Sequence, residues 1–181
     1  MLTVGCTPRV PSRLILMRHA KSDYPPDVAD HDRPLNARGR RDAAAAGEWL
    51  AANRAELVQG SLAVVVSSAC RAQQTWVIAG DGFAASFRTE PRIYESSVST
   101  LIDVAAACGE RTVLIVGHNP TIEDAIAHLA GRSAGAVKTS AIAVIDLQRE
   151  DPWSSGTAVV SAFIVPRGTD QSGGSGGAEP T

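Results

Sequence analysis

Cysteine is scarce: the three present, Cys6, Cys70 and Cys108, are odd in number, scattered, and form no CxxC pair. That pattern excludes a disulfide framework and a thiolate zinc site, and points to free thiols in a reducing cytoplasm. Net charge is equally sparse. At −2 over 181 residues it gives no general pull toward nucleic acid or an anionic membrane, so any anion site must be local. No apolar run approaches the roughly 18 residues that span a bilayer. The stretch MLTVGCTPRVPSR lacks a basic leader, and its apolar part is shorter than the roughly 7–15 residues of a signal peptide. A cytoplasmic protein is expected, with neither nucleic acid nor membrane as a partner. The sequence leaves the oligomeric state open, with a monomer the working expectation.

What is present suits one domain with a substantial core: 44% hydrophobic and 20% charged residues over 181. Residues 1–12 read as a flexible arm rich in small residues, with Pro8 and Pro11. The tail RGTDQSGGSGGAEPT has no aliphatic residue except Ala178, so burial cannot offset the entropy of ordering it. The folded domain is expected over residues 13–167, with 168–181 disordered. Within it, strand-like runs at Leu14–Met17, Leu62–Val66, Thr112–Val116, Ala141–Leu147 and Ala158–Val165 alternate with helix-like runs. The first three are nearly all apolar, as strands covered on both faces must be. Asn36–Asn53 sets Ala43, Ala46 and Leu50 on one helical face and Arg41 and Glu48 opposite; further helices fit Ala69–Ile78, Val98–Ala107 and Asn119–Ala130. The expectation is an α/β three-layer sandwich, a mostly parallel central sheet flanked by helices.

Ligands of such sheets bind just past the carboxyl ends of the strands. The first three strands are followed by RHAKS, SSACRAQQT and GHNPT, which deliver two arginines and two of the chain's four histidines to one place. Asn119 suits a helix N-cap, Pro120 the first helical position, and Glu123 and Asp124 the first turn, which sets His118 at a helix mouth that favours an anion. Ser67 or Ser68 suits the cap of the helix that carries Arg71, whose planar guanidinium matches phosphate oxygens. The set fits a dianion and not a metal: no carboxylate or cysteine accompanies the histidines at ligand spacing, and the arginines would repel a cation. No cofactor is expected.

LMRHAKS, SSACRAQQT, YESS and VGHNP, in that order, resemble the histidine phosphatase superfamily, which has the phosphoglycerate mutase-like fold. DHDRPLNARGRRDA and KTSAIAVIDL make the resemblance closest to its SixA-type phosphohistidine phosphatase branch, over roughly residues 13–165. The resemblance implies a metal-independent phosphatase in which His19 is the nucleophile that accepts the phosphoryl group. Arg18, Arg71 and His118 would bind and neutralise its oxygens, and Glu95 would be the proton donor. The implied substrate is a phosphohistidine protein or a small phosphomonoester. Two positions depart from the family pattern: Ala20 replaces the usual glycine after RH, and Ala69 a common proline after the serine pair.

Those roles are chemically coherent. A neutral imidazole, with an unperturbed pKa of about 6.5, is a competent nucleophile if its other nitrogen donates to a carbonyl or carboxylate. Phosphoryl transfer needs positioning and charge neutralisation above all. The residues also have plainer readings. Glu95 fits a solvated loop carboxylate, Ser22 fits either a phosphate contact or a turn, and Pro34 and Asn36 explain DHDRPLNARGRR as a turn and helix start whose arginines could also widen the positive rim. His31 and His128 are expected to face solvent, Cys70 to fill space, and Ser140 to be part of a strand entry and not a nucleophile. The competing class is a phosphate-binding or interaction module on the same fold, for which His19 would not be required.

Overall fold

Apolar runs that need cover on both faces belong in the middle of a sheet, and in this chain they lie there. The computed structural model describes residues 10–133, 135–148 and 150–169. Its strands are β1 (Arg13–Arg18), β2 (Leu62–Ser67), β3 (Arg88–Glu90), β4 (Thr112–Gly117), β5 (Ile142–Asp146) and β6 (Val159–Ile164). They form one sheet in the order β3-β2-β4-β1-β5-β6. Only β5 runs against its neighbours. The side-chain alternation of a strand divides the core. Leu14 and Leu16 of β1, with Val113 and Ile115 of β4, meet Leu101, Ile122 and Ile126 on one face. Ile15, Met17, Leu114 and Val116 meet Ala46, Leu50, Ala72 and Trp76 on the other.

The helices are α1 (Ala37–Ala52), α2 (Arg54–Leu57), α3 (Cys70–Ala79), α4 (Val98–Ala106) and α5 (Thr121–Ala130). The first core cluster is covered by α4 and α5 and the second by α1 and α3, which gives the three expected layers. Asn36 caps α1 by accepting from the Gly39 N–H at 2.8 Å. Gly39 then lies so close to the first loop that a Cβ there would overlap the Lys21 carbonyl oxygen. This contact packs α1 against the loop that carries His19.

Several local expectations are corrected. β3 was not expected, because Arg-Thr-Glu carries no apolar pattern and pairs only at the sheet edge. The short α2 was likewise not expected and follows α1 after Asn53. Asn119 does not cap α5. The N-cap is Pro120 and the first helical residue Thr121, while the Asn119 amide donates instead to Glu123 Oε2 at 3.0 Å and to the Val137 carbonyl at 3.1 Å. Neither Ser67 nor Ser68 is the N-cap of α3; Ala69 is. The end of the N-terminal arm is tied down, with Pro11 buried and the Ser12 N–H donating to the Arg111 carbonyl at 2.9 Å. The rest of the arm, and the tail from residue 170, lie outside the described residues. No helix among the described residues is long and apolar enough to cross a membrane.

Candidate active site

β2, β4 and β1 are adjacent and parallel, so the residues that follow them emerge at one edge of the sheet. There His19 and His118 face one another with ring centroids 4.9 Å apart, both about nine-tenths buried. Arg71, in the first turn of α3, is equally buried, and Arg18 ends β1. The structure thus brings together four of the six expected site residues, Arg18, His19, Arg71 and His118.

His19 is anchored at its backbone and its ring. Its N–H donates to the Gly117 carbonyl at 3.0 Å, and its carbonyl accepts from Ser140 N at 3.3 Å. Nδ1 lies 2.7 Å from the Ala20 carbonyl oxygen. A carbonyl can only accept, so Nδ1 carries the hydrogen and Nε2 keeps its lone pair. Burial, followed by the neighbouring His118 and then the positive Arg71 and Arg18, lowers the His19 pKa to about 3, although the Ala20 hydrogen bond opposes the shift. At neutral pH the ring is therefore neutral, with an unprotonated Nε2. Ala20, in place of glycine, is fully buried beside Leu35 and Ala43, and its N–H donates to Thr75 Oγ1 at 2.9 Å. The departure therefore adds packing and leaves the carbonyl that His19 uses in place.

His118 is held by Ser67, whose Oγ lies 2.8 Å from Nε2. Burial and then Arg71 lower the His118 pKa to about 4. Arg18 Nη1 donates to the Val137 carbonyl at 2.6 Å. Arg18 Nε and His118 Nδ1 are buried without a hydrogen-bond partner. Buried donors are ordinarily paired, so unmatched nitrogens on two neighbouring basic residues mark a place for an acceptor.

The remaining expected residues stand differently. Ser22 is buried, and its Oγ accepts from Arg33 Nη2 at 2.6 Å. Glu95 is solvent-exposed, in the left-handed region at φ 51°, beside Tyr94 at the rim. His31 is not simply solvent-facing: Nε2 pairs with Ser68 Oγ at 2.9 Å and its ring meets Tyr94 edge-on. Nor is His128 without a partner, since its Nε2 lies 3.0 Å from the Trp153 carbonyl oxygen, which fixes that nitrogen as the donor. Ser140 lies in the turn two residues before β5, at φ 64°, with a buried hydroxyl that has no partner among the described residues.

Sequence reasoning missed Asp30, Tyr94 and Ser67 as parts of this site. Asp30 lies in a 3₁₀ turn, Asp30–Asp32, and Tyr94 follows another, Pro91–Ile93. The Tyr94 ring packs edge-on against His118 with centroids 5.6 Å apart. Neither Asp30 nor Tyr94 lies at the end of an apolar run, which is the signal that found the others. Desolvation raises the Asp30 pKa, but hydrogen bonds from Tyr94 and Arg71 and the charges of Arg71 and Arg33 outweigh it and hold the carboxyl below its ordinary value. Between α3 and α4 only β3 and the Pro91–Ile93 turn intervene, so no further helix is inserted there to cover the pocket.

The sequence model of the Histidine phosphatase superfamily (branch 1) matches residues 14–101. An uncharacterised protein of Mycobacterium tuberculosis is 39% identical over 166 residues, which cover 83% of this chain and all of that protein. The phosphohistidine phosphatase SixA homologue of Haemophilus influenzae is 29% identical over 128 residues, 66% of this chain and 77% of that one. The solved structure of SixA from Agrobacterium tumefaciens superimposes with a TM-score of 0.73 at 27% identity, covering 86% of this chain and 99% of its own.

Proposed function

Because the chain belongs to the histidine phosphatase superfamily, we propose that it is a metal-independent phosphatase working through a phosphohistidine intermediate on His19. One observation carries this reading: the 2.7 Å contact between His19 Nδ1 and the Ala20 carbonyl, which leaves Nε2 unprotonated in a pocket beside two arginines. Phosphate binding alone would not need a buried neutral histidine at that point.

The Nε2 lone pair attacks phosphorus, the bond to the leaving group breaks, and the leaving group departs with a proton. Arg18 and Arg71 neutralise the phosphoryl oxygens, and His118 contributes a ring N–H. Water then attacks phospho-His19, releases inorganic phosphate and restores the neutral ring. Glu95 donates the proton to an ester leaving group; its exposed position at the rim suits a group that meets the substrate from outside. A phosphoramidate leaves more readily and depends on it less. Ser22 acts at one remove, by holding Arg33. Arg18 and Arg71 disfavour a cation in the same space.

The substrate class is a phosphohistidine protein or a small phosphomonoester. The former is supported by likeness to SixA proteins and by the short connection between α3 and α4, which leaves room for a side chain presented by another protein. The test is turnover of a phosphoramidate and an aryl phosphate by chelator-treated protein, beside His19→Ala. We expect activity that survives chelation and is lost in the variant. Full activity of His19→Ala, or turnover only after metal is restored, would overturn the reading. Binding of phosphate with no turnover of any donor would favour a binding module.

A further inference from the structure

We propose that Asp30 is the positioning residue of Arg71, fixing its guanidinium in the orientation that phosphate binding requires. The proposal rests on the reading of Arg71 as a phosphate ligand. Asp30 receives hydrogen bonds from three different side chains. Arg71 Nη1 donates to its backbone carbonyl at 2.5 Å and Arg71 Nη2 to its Oδ2 at 3.0 Å. Tyr94 Oη donates to the same Oδ2 at 2.9 Å, and Arg33 Nη1 to Oδ1 at 2.5 Å.

A guanidinium has N–H donors on three nitrogens held in one plane. Asp30 takes one hydrogen from each terminal nitrogen and leaves the Nε–H and the second hydrogen of each terminal nitrogen. Two contacts to one residue fix both the position and the rotation of a planar group, which a single contact cannot do. Tyr94 braces the carboxylate at the same oxygen, with its ring against His118 and the Arg71 guanidinium carbon 5.8 Å from the ring centroid. Asp30 thus links the cation that binds phosphate to the histidine beside it. It also brings in Arg33, a second cation, whose Nη2 holds Ser22.

A merely structural reading is available, since the Asp30–Asp32 turn also hangs on the bond between His31 and Ser68. The two readings separate experimentally. Asp30→Asn keeps the backbone carbonyl and the shape but removes the charge; Ser68→Ala releases the turn and leaves Asp30 intact. Kinetics with an aryl phosphate should show kcat/KM reduced roughly 10- to 100-fold in Asp30→Asn, the usual range for a charge-assisted contact to a catalytic cation, and less than about threefold in Ser68→Ala. In an Arg71→Lys background, where the bidentate fork is gone, Asp30→Asn should cost no more than a further twofold or so. Thermal melts of each variant report whether it is folded. Equal losses in Asp30→Asn and Ser68→Ala, or fully multiplicative losses in the double variant, would overturn the positioning role.

Calorimetric titration with inorganic phosphate separates this proposal from the functional one. Wild-type protein that binds phosphate but turns nothing over, with Asp30→Asn binding more weakly only when Arg71 is present, would sink the phosphatase and keep the clamp. Wild-type protein that neither binds phosphate nor turns over any donor would overturn both.

Discussion

Acidification should destabilise this protein through the two pocket histidines. Both have folded pKa values below the unfolded value of about 6.5: about 3 for His19 and about 4 for His118, with burial the main cause in each. A depressed value means the unfolded chain binds the proton first. The stabilisation is therefore complete above roughly pH 6.5 and is lost as the pH falls toward the folded values. Between pH 7.5 and 5.5 the unfolded state gains about one proton per histidine while the folded rings stay neutral, which costs on the order of 1 kcal/mol each and roughly 2–3 kcal/mol together. Urea unfolding at the two pH values, with ΔG extrapolated to water, measures the loss. Other groups titrate over this range too, so the sharper quantity is the difference between wild type and His19→Gln or His118→Gln. Each variant should lose on the order of 1 kcal/mol less than wild type on acidification, whatever its stability at pH 7.5. Equal losses in wild type and both variants would refute the claim that these rings are held neutral by their surroundings.

Three further outcomes are expected. Gly39→Ala drives a Cβ into the Lys21 carbonyl oxygen and should cost about 1–3 kcal/mol, read as a lower Tm, with activity falling further because that loop carries His19. Leu114→Ala, in the middle of the central strand β4 and fully buried, should cost roughly 2–5 kcal/mol in urea unfolding. Glu95→Gln should slow an alkyl phosphate by about 100-fold or more and a phosphoramidate far less, the difference measured as the ratio of the two kcat/KM values; an unchanged ratio would remove Glu95 from the mechanism.

Strands β1, β2 and β4 and the four clustered pocket residues were legible in the sequence for one physical reason. β1, β2 and β4 are buried on both faces, so each is an unbroken apolar run, and the polar residues just after such runs share a sheet edge. Arg18, His19, Arg71 and His118 all follow from that rule. Asp30 and Tyr94 do not, because short 3₁₀ turns bring them in, and such turns leave no periodic trace. The capping expectations failed where tertiary demands outweighed local ones. Asn119 is drawn to Glu123 and the Val137 carbonyl, and Ser67 serves His118 in place of a helix end. β3 escaped notice because its three residues, two of them charged, pair at an edge and carry no hydrophobic signal.

Trapping the phosphoenzyme tests the central claim most directly. Protein mixed with a phosphoramidate, quenched in alkali within the first turnovers and digested for mass spectrometry should carry one base-stable, acid-labile phosphate. It should map to His19 and be absent from His19→Ala. A phosphate on any other residue, or turnover by wild type with no phosphoenzyme at any quench time, would contradict the account.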